Sequence, residues 1–390
     1  MRPRSSPSIV ALLSTVIAGT LCAATAMGQA AAAPKPLVSD QVFKNVQVLK
    51  GIPVDQFMDT MGMFSAALTL TCSACHVQQS LESWERYADD TPLKQMARRM
   101  VLMTNALNKN NNFRAGRTVT CWTCHRTDQI PESTPSLAMQ YQTPVEDPNK
   151  VFDIPGRQAD PKLPTADQIF NKYIQVAGGA QKFATLSTLV AKGTYEGYDT
   201  EHEMVPFEMY AKAPNQMTSI AHMNFEGKND SATRTYDGTN GWIASPDKPV
   251  GLMELTAGNL EGAKIDAIVA FPTHIKELAA QWQVSSTAID DKDAYILQGT
   301  NPGKPPLKLY FDQESGLLVR LVRYNDTLVG RVPTQIDFVD YRDVSGIKLP
   351  FHWTTTWTDG QTNVDFTEWQ VNVPIDAAKF AKPAALTPHR

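Results

Sequence analysis

The sequence predicts an α+β protein of two domains, helical in its N-terminal half and built of antiparallel strands in its C-terminal half. Three observations carry the prediction. Up to about residue 130 the apolar residues recur three and four positions apart, the period of an amphipathic helix. Residues 131–164 then hold seven prolines and little periodicity, the composition of a linker. Beyond them, Ser315-Gly316, Ser345-Gly346 and Asp359-Gly360 punctuate runs rich in β-branched and aromatic residues, which is how hairpins read. At 390 residues the chain is also longer than one ordinary core requires.

Residues 1–30 read as a secretory signal peptide. Arg2 and Arg4 give a positive start, 9–21 is apolar, and small residues follow around Ala26 and Ala30. The apolar run is shorter than the roughly twenty residues a membrane span needs. Cys22 follows Leu21 rather than a small residue, so it reads as part of the discarded signal and not as a lipid anchor. The expected location is periplasmic, with association at the outer face of the inner membrane as a further expectation. The net charge is −4, and loss of Arg2 and Arg4 with the signal makes it −6. That sign, with no Lys/Arg-rich run, excludes a nucleic-acid partner.

After a lead-in at 31–36, residues 39–49 carry Val42, Phe43, Val46 and Leu49 at helical spacing, and Gly51 ends the pattern. Pro53 opens a second helix, about 53–70, with Phe57, Met58, Met61, Phe64, Ala67 and Leu68 on one face. It runs into Cys72-Ser73-Ala74-Cys75-His76. Residues 77–90 are polar around Trp84 and Tyr87, a loop with a short helix. A third helix starts with Thr91 as cap and Pro92 as first residue, and Leu93, Met96, Met100, Met103 and Leu107 form its stripe. The asparagine-rich run 108–112 ends it, and Val119-Thr120 lead into Cys121-Trp122-Thr123-Cys124-His125.

These two C-x-x-C-H words hold four of the five cysteines. The pattern attaches haem c. Two thiols three positions apart reach the two vinyl groups on one porphyrin edge and add to them as thioethers, and the following histidine faces the iron. A bare C-x-x-C would also suit a redox dithiol or half a zinc site; a histidine after the second cysteine, twice, favours haem. The expected cofactors are therefore two covalently bound haem c groups, on Cys72 and Cys75 and on Cys121 and Cys124, with His76 and His125 as iron ligands. A thioether sulfur is a common sixth ligand and raises the reduction potential. Met58, Met61 and Met63 precede the first word, and Met96, Met100 and Met103 precede the second.

The run from Met61 through Ser65-Ala66-Ala67-Leu68 to His76, the stretch Ala97-Arg98-Arg99-Met100-Val101-Leu102-Met103, and Val119 through His125-Arg126 resemble the cytochrome c subunit of photosynthetic reaction centres. In that family a helix, a turn and the haem word make one unit, and a helix methionine is usually the sixth ligand. The resemblance implies Met61 for the first iron, with Met58 and Met63 as alternatives, and Met100 for the second, with Met103 next. It implies electron transport to or from a membrane-bound partner, a photosynthetic reaction centre or a respiratory complex in a non-photosynthetic equivalent. Two departures stand out: family members usually carry four haems, and this chain continues into a long region the family does not supply.

That region opens with a helix capped by Thr165 and Gln168 and stopped by Gly178-Gly179. Strands are expected from about 186, interrupted by helical patterns at 256–271 and 274–282. The pattern resembles the half-barrel of periplasmic lipoprotein carriers, which implies a lipid or other apolar ligand. Trp242, Trp282, Trp353, Trp357 and Trp369 read as core. His202, His222, His274 and His352 are scattered without nucleophile or carboxylate partners at diagnostic spacing, so no catalytic constellation is expected. The domain reading is 31–130 dihaem domain, 131–164 linker, 165–390 β-rich domain. The functional expectation is an electron carrier rather than an enzyme. The alternatives are a dihaem oxidoreductase such as a peroxidase, with one open iron position, and an apolar-ligand carrier with redox-active haems.

Overall fold

Alternating apolar residues and tight turns make the C-terminal half one antiparallel sheet. The computed structural model describes residues 35–109, 118–134, 162–225 and 228–388. The expected signal peptide 1–30 with Cys22, most of the linker, and 110–112 of the asparagine run lie outside the described residues. The strands are β1 (Thr188–Gly197), β2 (Val205–Lys212), β3 (Gln216–Phe225), β4 (Lys228–Tyr236), β5 (Gly241–Ala244), β6 (Met253–Glu254), β7 (Gln281–Ile289), β8 (Lys292–Thr300), β9 (Leu307–Asp312), β10 (Leu318–Thr327), β11 (Gly330–Val344), β12 (Ile347–Trp357) and β13 (Gly360–Val371). Their order across the sheet is β6-β5-β4-β3-β2-β1-β13-β12-β11-β10-β9-β8-β7. The chain thus winds outward in one meander and back in a second. The pairing of β1 with β13, from Leu189↔Val371 to Gly197↔Thr362, joins the two.

The expected hairpins are present. Val344 pairs with Ile347 around Ser345 and Gly346, both at positive φ (56° and 79°), the backbone a two-residue turn demands. Trp357 pairs with Gly360 beside Asp359.

The helices α6 (Ala166–Ala177), α7 (Ala180–Thr185) and α8 (Ala257–Val269) cover one face of the sheet. The start of α6 shows the Thr165/Gln168 capping box read from the sequence. Phe170, Tyr173 and Ile265 from the helices meet Leu189, Leu309 and Phe338 from the sheet in one core. Within this core Asp266 of α8 is pinned by two guanidinium groups, Arg323 at 3.0 Å and Arg234 at 2.9 Å. Burial pushes its carboxyl up, but the two arginines outweigh burial and hold it below the usual carboxylate range. Trp242 and Trp369 are buried as expected, whereas Trp282, Trp353 and Trp357 are half-buried.

The N-terminal half contributes α1 (Ser39–Val42), α2 (Val54–Leu68), α3 (Cys72–Cys75), α4 (Pro92–Lys109) and α5 (Cys121–His125). Described residues from 36 onward belong to one compact unit, so these helices pack on the sheet half. The helix α2 is the clamp. Asp55, 2% exposed, accepts from the Thr256 N–H at 2.6 Å and the Thr256 hydroxyl at 2.8 Å, tying α2 to the residue that opens α8. One turn on, Asp59 accepts from Asn259 at 2.7 Å and from the Asn325 amide, and burial pushes its carboxyl up to about 6. A further turn on, a Cβ at Gly62 would lie 2.7 Å from Thr358 Oγ1, so the helix lies against the β12–β13 turn with only a hydrogen between them.

Two expected helices differ. Residues 39–49 give only the four-residue α1, because Asn45 takes φ 58° and the segment folds into a loop tied by Ser39 Oγ to the Leu49 carbonyl and by the Gly51 N–H to Asp40. Val46 and Leu49 still face a core, so their spacing reflects packing and not a helix. The 274–282 pattern is a 3₁₀ turn, Pro272–Leu278, followed by β7. Trp282 sits on that strand and donates its indole N–H to the Lys276 carbonyl at 2.9 Å.

Candidate haem sites

Each C-x-x-C-H word folds as one helical turn, and a turn places residues three apart on the same side. In the first, Thr71 is the extended residue before α3, and Cys72 and Cys75 share a face. Thr91 Oγ1 donates to the Cys75 carbonyl and also caps α4 by accepting from the Lys94 N–H at 3.1 Å. His76 then leaves the turn in an extended conformation. Its Nδ1 lies 3.1 Å from the Tyr87 carbonyl, and its ring rests on the Tyr87 ring with centroids 4.7 Å apart. A carbonyl only accepts, so Nδ1 carries the proton and Nε2 keeps a bare lone pair. Burial, then the nearby Lys94 charge, holds the imidazole below its ordinary pKa, in the neutral form that binds metals.

The second word repeats the device on different supports. Thr120 and Thr123 form a capping box at the start of α5. His125 Nδ1 lies 2.9 Å from the Asp128 carbonyl, which again leaves Nε2 free. The lead-in is held by Asn108, whose side chain takes both the N–H and the carbonyl of Val119 at 2.7 and 2.8 Å. The exit is held by α2: the Thr127 N–H donates to the Ala67 carbonyl at 3.0 Å, and Thr69 Oγ1 to the Thr127 carbonyl at 2.8 Å. Burial pushes the Cys121 thiol up to about 11 and raises Cys75 as well. The four cysteines of the words form no disulfide. Among the described residues no three His, Cys, Asp or Glu side chains gather into a metal-ion site, so the thiols do not converge on a zinc geometry.

The methionines divide by environment. Met63, 5% exposed, is core, packed with Leu49, Val101, Val329 and Val332. Met58 and Met61 are half-buried on α2, and Met61 lies against that same cluster. On α4, Met100 is half-buried, while Leu93 (48%), Met96 (44%), Met103 (47%) and Leu107 (36%) are exposed along one stripe. A stripe that apolar on an exposed helix face wants a cover. A flat apolar porphyrin suits it, and the two words with their free Nε2 atoms stand at either end of α4. The residues present therefore fit a covalently held haem at each word. Sequence reasoning missed the carbonyls of Tyr87 and Asp128 and the Asn108 bridge. Main-chain acceptors leave no residue-type signature, and Asn108 read only as turn composition.

The comparisons bear on this half. Residues 16–151 match the family model described as photosynthetic reaction centre cytochrome C subunit. The haem-word region is similar to that family. A reaction center cytochrome c subunit from Thermochromatium tepidum is 35% identical over 97 residues, covering 24% of this chain and 23% of its own length. One from Rubrivivax gelatinosus is 36% identical over 98 residues, covering 24% and 25%. The chain thus spans about a quarter of the length of the curated relatives it matches. Among solved structures, a LolA superfamily protein from Nitrosomonas europaea aligns with 56% of this chain and 99% of its own, at 13% identity and TM-score 0.38. A DUF1329 family protein from Desulfovibrio piger aligns with 55% and 96%, at 13% identity and TM-score 0.39. At these TM-scores the likeness carries no argument about the C-terminal half. The similarity is to cytochrome c subunits, over the haem-word region alone.

His202, His222, His274 and His352 lie beside Glu196, Glu208, Glu277 and Asp365, respectively. No helix among the described residues is long and apolar enough to cross a membrane.

Proposed function

We propose that the chain is an exported dihaem c-type cytochrome that passes single electrons to and from a membrane-bound redox partner. The haem-bearing part is 31–130 and the β-rich part 165–390. Cys72 and Cys75, and Cys121 and Cys124, would hold the haems by thioethers. His76 and His125 would supply imidazole nitrogens to the irons, and Met61 and Met100 thioether sulfurs. Bound there, the haems supply a reversible one-electron change at iron.

The chain's own residues prepare for that task. The observation that carries the reading is the pair of histidines, each at the end of a helical turn bearing two thiols, each with Nδ1 tied to a main-chain carbonyl. That tie fixes the tautomer and the ring plane, so neither ring has to reorganise when the metal changes charge. With a thioether from Met61 or Met100 also holding each iron, no position would be left for a substrate, which is why a carrier is favoured over a peroxidase. The signal-like residues 1–30 support export to the periplasm, and association with the outer face of the inner membrane belongs to the proposed partner.

A redox titration followed by absorption spectra on the exported protein tests the reading. Two low-spin haems are expected. Met61→Ala and Met100→Ala should each open one iron to carbon monoxide and lower one midpoint potential. Spectra unchanged in both variants would overturn the methionine assignments, and carbon monoxide binding by the unaltered protein would favour an enzyme.

A further inference from the structure

The two haem words have unlike surroundings. The first is held by its own half of the chain, through Thr91 on the Cys75 carbonyl and Tyr87 under His76. The second also meets the sheet. The Cys121 N–H donates to the Val329 carbonyl at 3.2 Å. Val329, 1% exposed, packs in the cluster with Met63 and Val101 that Cys121 also joins. The turn that carries Val329, between β10 and β11, is braced by Thr327 Oγ1, which donates to the Gly330 carbonyl at 2.7 Å and accepts from the Val329 N–H at 3.3 Å. At Gly330 φ is 154°, and a Cβ there would lie 2.1 Å from Met63 Cε and 3.1 Å from Thr120 Cβ. A Cβ there would have to displace the Met63 methyl and press on Thr120, so the turn is closed on the second word.

Resting on the haem reading above, we propose that this turn, 327–330, is a wall of the second haem site. The β-rich half then positions the second haem directly and bears most on its potential, and reaches the first only through Met61, which lies against the same cluster. Holding Cys121 by its backbone fixes where one thioether forms. Packing Val329 and Val332 beside it keeps water from that edge, and a drier surrounding disfavours the more positively charged ferric state. The second haem therefore gains a higher potential from the sheet, and Val329 and Gly330 are positioning residues for it.

The test is a potentiometric titration, with intact mass, of the full exported chain. A Cys121→Ala/Cys124→Ala double variant identifies the wave of the first haem, which it retains. Gly330→Ala should keep two haems and shift the second wave to lower potential by more than it moves the first. Val329→Ala, which removes two methyl groups without backbone strain, should give a smaller shift of the same wave and decides the matter if Gly330→Ala does not fold. Both waves unmoved, or both moved equally, would overturn the proposal while the haem reading stood. An unaltered chain without haem would overturn the haem reading itself.

Discussion

Replacing Asp55 with alanine should loosen the helix before the first haem word from the sheet half. The carboxylate is 2% exposed and takes three donors across the junction, the Thr256 N–H at 2.6 Å, the Thr256 hydroxyl at 2.8 Å and Asn259 Nδ2 at 3.2 Å. Loss of the bond from the Thr256 N–H costs about 1 kcal/mol. Leaving the Thr256 hydroxyl without its buried partner costs about 1–2 kcal/mol more. Asn259 keeps its bond to Asp59 at 2.7 Å, so it adds little. Against this, burial raises the Asp55 pKa, so the carboxylate itself sits there at some cost, which alanine removes. The expected net loss is about 2 kcal/mol, roughly thirtyfold in the unfolding equilibrium. Guanidinium unfolding of the haem-bearing protein, followed in parallel by tryptophan fluorescence and haem absorbance, measures it. A loss below about 0.5 kcal/mol, the scatter of ordinary surface substitutions, would refute the clamp.

Asp266→Asn leaves Arg323 and Arg234 without their shared anion and should cost about 3–5 kcal/mol at neutral pH. The carboxyl's pKa is depressed in the fold, so its stabilisation is present above the ordinary carboxylate value and disappears as pH falls through the depressed one. Acid unfolding of the unaltered protein should steepen there, and the variant should lack that step. His76→Ala and His125→Ala should each abolish the low-spin signal of one haem and spare the other, read by electron paramagnetic resonance.

Much of the haem half was legible because its chemistry is written in residue types at fixed spacing. The two words, the Thr91-Pro92 start of α4 and the Thr165/Gln168 box all appear where the residues placed them, and Pro53 differs by one position, as the cap of α2 rather than its first residue. The β-rich half announced its hairpins through Ser-Gly and Asp-Gly pairs. The β7–β8 turn was not seen, because Asp290 and Asp291 take φ 49° and 62° without a glycine to mark it. What no local pattern held was how the halves meet. Asp55 and Asp59 look like solvent-facing helix acids in sequence, and their partners Thr256, Asn259 and Asn325 lie some two hundred positions or more away. The same distance hid the contact of Cys121 with Val329. Periodicity misled where loops imitate it, as at Val46 and Leu49, whose inward spacing arises in a hydrogen-bonded loop.

The measurement that bears most directly on the central claim is the intact mass of the exported chain in denaturant, where only covalent attachments survive. Two haem masses added to the polypeptide are expected, one for each pair of thiols. A polypeptide mass with nothing added would contradict the account at its root.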